Sequence, residues 1–181
     1  MVRGIKMDDF IDDIIESIEK LNSKTNELNG NTAWTDAVKN ALINVAKKYG
    51  LFVNCNMKQQ NQYENYINKE LLYDIIIYTS TDDVLNEVYL VCESEWLSWS
   101  PSYWEKIKED FIKLLFARSK VRLMVFEVFE EEYAEYKNKL INIIEKSNSS
   151  LTGDIYIFAI WHKSSTKNGF EVEKYIKGDQ K

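Results

Sequence analysis

Three carboxylates stand where solubility alone would not put them. Asp74 interrupts the apolar run LLYDIIIY (71–78), and Glu93 and Glu95 follow directly on the apolar run VYLVC (88–92). A carboxylate within an apolar strand is costly unless it is hydrogen-bonded, paired or bound to a cation. On an extended chain, residues two apart share a face and lie about 6.6 Å apart, so Glu93 and Glu95 point the same way. If the two runs pair, the three acids converge with almost no base nearby in sequence. Their mutual repulsion raises their proton affinity unless a hard cation neutralises them, and oxygen-only ligation suits Mg2+ or Mn2+. The plainer alternative has Asp74 bonding backbone amides or a basic side chain, with Glu93 and Glu95 opening an exposed loop.

Other chemistries fall away on inventory. A single histidine, His162, cannot supply an HExxH zinc site or a histidine-rich metal cluster. No CxxC, GxxxxGK[ST] or GxGxxG pattern occurs, so zinc ribbons, P-loops and dinucleotide binding lack their signatures. His162 has no nucleophile-elbow pattern to accompany it and, ending an apolar strand, reads as structural. The formal charge of −6 argues against a protein that simply coats nucleic acid, though not against an enzyme whose acids hold metal.

The elements that must position the acids follow from hydrophobic period. Phe10, Ile11, Ile14, Ile15, Ile18 and Leu21 recur at helical spacing with acids opposite, which predicts an amphipathic helix over 7–22. That helix and a polar connector make up residues 1–31, ahead of a domain over 32–181. Its isoleucine stripe either packs on the domain or makes a homodimer contact. Thr32 is placed to cap a second helix, whose stripe Trp34, Val38, Ala41, Leu42, Val45 and Tyr49 ends at Gly50. A short strand over 51–54 precedes a polar stretch, 56–69, that reads as a loop or an excursion of the sheet. The runs 71–78 and 88–92 predict central strands joined as an antiparallel hairpin. A helix near 103–118 follows, with Trp104, Ile107, Phe111, Leu114 and Leu115 on one stripe. A strand over 121–129, a helix over 130–146, a strand over 154–162 and an edge strand over 170–176 complete the chain. This is an α/β protein, a three-layer α/β/α sandwich with a mixed central sheet.

Helix, strand, a hairpin with Asp in its first arm and an acid–x–acid end to its second, then helix and strand: this order resembles the core of the PD-(D/E)xK nuclease superfamily over about residues 32–129. The motif here is Asp74…Glu93-Ser94-Glu95. It lacks the proline, Tyr73 preceding Asp74, and carries glutamate where lysine is usual, which is similar to the ExE variant of the BamHI restriction endonuclease. The resemblance implies a restriction-endonuclease-like fold and Mg2+-dependent phosphodiester hydrolysis in DNA, in restriction or repair. Asp74 and Glu93 would then be metal ligands and Glu95 the general base. Some members move the missing lysine to the following helix, where Lys113 is the candidate. Periodicity sets Lys113 with Lys106, Glu109 and Asp110 on the face opposite the Phe111 stripe, as an i,i+4 partner of Glu109. Asp36, the only acid in 32–49, faces away from the Trp34–Val38 stripe.

Beside the acids, Trp96 and Trp99 either stack on unpaired or flipped bases, as substrate-binding residues, or cover the end of the sheet as aromatic packing. The acidic balance supports a second class of function: a catalytically inactive protein of the same fold that binds a basic protein partner, as immunity or inhibitor proteins do. Cys55 and Cys92 lie isolated in apolar runs and read as free thiols in a reducing compartment. With no secretory signal visible and no run approaching the about 20 apolar residues of a membrane span, a cytoplasmic protein is expected.

Overall fold

The computed structural model describes residues 4–28, 30–57, 61–82, 84–96, 103–163 and 169–179. Helix α1 (Met7–Glu19) runs into a 3-10 turn (Lys20–Lys24) and is followed by α2 (Asn31–Tyr49). Four strands come next: β1 (Phe52–Cys55), β2 (Tyr66–Asn68), β3 (Ile75–Thr81) and β4 (Val84–Glu95). Then α3 (Tyr103–Leu115), β5 (Val121–Phe129), α4 (Tyr133–Lys146), β6 (Ile155–Lys163) and β7 (Gly169–Ile176) alternate to the C-terminus. The seven strands form one sheet in the order β2-β1-β3-β4-β5-β6-β7. β3 runs antiparallel to both of its neighbours, β1 and β4, whereas β4, β5 and β6 run parallel, and β7 closes the edge antiparallel to β6.

Parallel strands need crossover connections, and α3 and α4 supply them between β4, β5 and β6. Eight of the nine residues of β5 are buried, as a strand covered on both faces requires. One apolar core gathers Phe10, Ile14 and Ile18 of α1 and Val38 and Leu42 of α2 against Ile75, Leu90 and Val125. The other packs Ile107, Phe111 and Leu114 of α3 and Leu140 and Ile144 of α4 against Ile76, Val91 and Phe126. The arrangement is the three-layer α/β/α sandwich, with the α1 stripe buried in its own chain rather than free for a dimer contact. No helix among the described residues is long and apolar enough to cross a membrane.

Several expected boundaries move. Helix α2 starts one residue before Thr32 and has Gly30, not Thr32, as its N-cap, with no side-chain cap. The polar stretch does make an excursion: β2 pairs parallel with β1 at the sheet edge. The first hairpin arm begins at Ile75 instead of 71, because the β1–β3 ladder ends at the pair Cys55↔Ile75 and residues 71–74 have no ladder partner among the described residues. Leu72 is correspondingly 79% exposed.

Helix α2 ends at Gly50, whose φ of 66° is left-handed and whose N–H bonds the carbonyls of Ala46 and Lys47. Nothing lies within 4 Å of where a Cβ would sit. Gly50→Ala therefore tests backbone conformation alone. It is expected to cost about 1 kcal/mol and to lower the melting temperature by about 3 °C in a calorimetric melt.

Candidate functional site

The acids meet where β3 begins and β4 ends. β3 and β4 pair Ile75 with Cys92, and continuing that register brings Asp74 beside Glu93. Asp74 occupies a bend just before β3 and is partly buried, so the strand-interior carboxylate expected from the sequence is avoided. Its Oδ2 accepts two hydrogen bonds, from the Ser94 backbone N–H at 2.8 Å and from Ser94 Oγ at 2.6 Å.

Glu93 lies two residues beyond Val91 of the second apolar core and shares its face of β4, so it faces the α3 side of the sheet. It is 5% exposed. Its Oε1 has no hydrogen-bond donor among the described residues. Lys113 Nζ approaches that oxygen to 3.6 Å, beyond hydrogen-bond reach. The ammonium sits closer to Asp110 Oδ1, at 2.6 Å. Burial first, then the negative charge of Asp74 and Asp110, pushes the Glu93 carboxyl up from 4.5 to about 8, against the pull of Lys113. Glu95 is also raised, by burial first and then by Asp110 and Asp74, with Lys106 and Lys113 opposing. The hydrogen bond to Asp110, with the charge of Glu93 behind it, raises Lys113. Tyr103 fixes the end of the strand: its hydroxyl lies 3.1 Å from the Glu95 carbonyl and donates to the Glu127 carbonyl at 2.7 Å, docking the start of α3 on β4 and β5.

Helical period put the Lys113 backbone on the exposed side of α3, which is where it lies. What period missed is the reach of a four-carbon stem back to the sheet. The partner is Asp110, three residues earlier, together with Glu93, rather than Glu109. Trp96 is 8% exposed and packs among Trp34 and Phe170, with centroids at 6.5 and 6.2 Å. That cluster belongs to the first core, on the face opposite Glu93, so packing replaces base stacking for this ring. Trp99 lies outside the described residues. Asp110 and Ser94 were not singled out from sequence. The i,i+3 spacing of Asp110 and Lys113 was the available signal for the first, and the short donor between two acids was the signal for the second.

Among the described residues no three His, Cys, Asp or Glu side chains gather closely enough to hold a metal ion. The expected three-acid convergence is thus a carboxylate pair, Asp74 and Glu93, with Glu95 one strand repeat further along. The oxygen-only chemistry of the two residues is of the kind that Mg2+ or Mn2+ takes. Both residues offer oxygen, the buried Glu93 Oε1 lacks a hydrogen-bond donor among the described residues, and Mg2+ is commonly held by one or two carboxylates with waters and substrate phosphate completing its shell.

No protein-family model matches the chain, and no curated protein matches it. Among solved structures, it is similar to NucC of P. aeruginosa ATCC27853 in its cAAA-bound form, at 10% identity and a TM-score of 0.44 over 96% of this chain and 85% of that chain. It is also similar to NucC of E. coli MS115-1 in its cAAA-bound form, at 10% identity and a TM-score of 0.42 over 97% of this chain and 85% of that chain.

Proposed function

We propose that the chain is a metal-dependent nuclease of the PD-(D/E)xK type, hydrolysing phosphodiester bonds in DNA. The observation that carries this reading is the buried Glu93 carboxyl, whose Oε1 meets no hydrogen-bond donor among the described residues, has Lys113 Nζ at 3.6 Å and has two further acids as neighbours. One ammonium at 3.6 Å does not satisfy the lone pairs of a buried carboxylate flanked by two acids, and this leaves oxygen on it for a cation. Asp74 and Glu93 would hold Mg2+ or Mn2+, which when bound polarises the scissile phosphate and lowers the pKa of a coordinated water.

The remaining roles fall to this chain's own groups. Glu95, with a raised proton affinity, is suited to accept a proton from an attacking water, as the general base. Lys113, tethered by Asp110 beside Glu93, places an ammonium where the charge of a phosphate would develop. Tyr103 orients Glu95 through the strand backbone.

The test is a calorimetric titration of Mn2+ into metal-free wild-type protein and Asp74→Ala, followed by incubation of each with plasmid DNA and Mg2+. Saturable Mn2+ binding by the wild type, lost in the variant together with DNA cleavage, is the expected result. A wild type that takes up no Mn2+ and cleaves no DNA, but binds a basic protein with an affinity unchanged in Glu93→Gln, would replace the nuclease reading with the partner-binding one.

A further inference from the structure

Building on the reading of Asp74 and Glu93 as cation ligands, we propose that Ser94 is a positioning residue that presents Asp74 to the cation. Asp74 sits in a bend and, among the described residues, has no ladder partner to restrain it. A carboxylate in such a place can turn about both of its side-chain torsions. Two donors from one residue, the N–H at 2.8 Å and the hydroxyl at 2.6 Å, both engage Oδ2. That fixes the plane of the carboxylate and leaves Oδ1 as the oxygen for a metal. The N–H is supplied by any residue at this position. The hydroxyl is not, so the side chain sets the orientation beyond what the backbone alone provides.

The position is constrained from both sides. Ser94 follows Cys92 and precedes Trp96 on the face of β4 that meets α1 and α2, so its side chain has the first core as its neighbour. A long apolar residue there would join that core and offer Asp74 nothing. A short hydroxyl spans the strand end to the bend. The middle residue of the acid–x–acid stretch therefore joins one ligand, Asp74, to the strand that carries the other, Glu93. Partners of this kind that orient metal-binding carboxylates change affinity about 10- to 100-fold when removed.

The experiment is a calorimetric Mn2+ titration of metal-free wild type, Ser94→Ala, Ser94→Thr and Asp74→Ala, with a metal-free melting curve for each. Ser94→Ala is expected to weaken Mn2+ binding about 10- to 100-fold, and Ser94→Thr, which keeps the hydroxyl, to stay within about threefold of wild type. Ser94→Cys keeps the volume with a weak donor and carries the same expectation as alanine, should the alanine variant fail to fold. Wild-type affinity in Ser94→Ala overturns the proposal, even if its melting temperature falls, because the hydroxyl would then merely brace the bend. Absence of Mn2+ binding in the wild type itself overturns the cation reading and this inference with it, an outcome distinct from a silent serine in a protein that binds.

Discussion

Glu93→Gln is expected to lose DNA cleavage by at least about 1,000-fold while gaining thermal stability in alkaline buffer. The first effect follows from removing a ligand charge where a bound metal contributes several kcal/mol of charge stabilisation in the transition state. The second follows from the sign of the Glu93 shift. Its carboxyl is raised from 4.5 to about 8 in the folded protein, so between those values the native state binds more protons than the unfolded chain. The stabilisation is complete below about pH 4.5 and is lost as pH rises through about 8, amounting to about 5 kcal/mol at most. Glutamine stays neutral throughout. Melting curves in EDTA should therefore show wild type declining between pH 5 and pH 8.5 relative to Glu93→Gln, with added Mn2+ restoring the wild type only. Parallel pH profiles for the two proteins would show that Glu93 ionises without penalty and would remove the electrostatic case for a cation there.

Phe111→Ala carries the largest expected loss of stability, about 4 kcal/mol. The ring is fully buried and meets Tyr156 and Phe158 at centroid distances of 6.0 Å. With Ile107 and Leu114 it seats α3 on the sheet, and α3 carries Asp110 and Lys113 to Glu93. A fall in melting temperature of about 12 °C is expected. The variant should also lose DNA cleavage at temperatures where it remains folded, because a loosened α3 no longer holds Lys113 against the sheet. A drop of less than about 3 °C would mean that the neighbouring rings close over the gap and that α3 is seated by other contacts.

Both predictions rest on placements of unequal visibility in the sequence. Period alone determined the layers. The α1 and α2 stripes, the apolar runs of β3 to β6 and the alternation of helix with strand each encode which face is buried, and burial of those faces leaves few architectures open. Glu93 and Glu95 were legible for the same reason, as charges ending a run that must be covered on both sides. Asp74 was legible as a residue but not as a position. Leu71 and Leu72 read as strand, yet a strand needs a partner, and β1 stops at Cys55.

What tertiary structure alone decided is which groups touch. Lys113 is exposed by helical period and still reaches Glu93, because the crossover lays α3 along β4 and the side chain is long enough to cross the gap. Trp96 follows the acids by one residue, and alternation sends it to the opposite face, into a cluster with Trp34 and Phe170 drawn from both ends of the chain. Ser94 finds Asp74 twenty residues away through a register that the hairpin sets. Hydrophobic period is a local property, written in neighbouring residues. The pairing of one carboxylate with one donor depends on strand register, helix docking and side-chain length together, and only the folded chain brings these into one place.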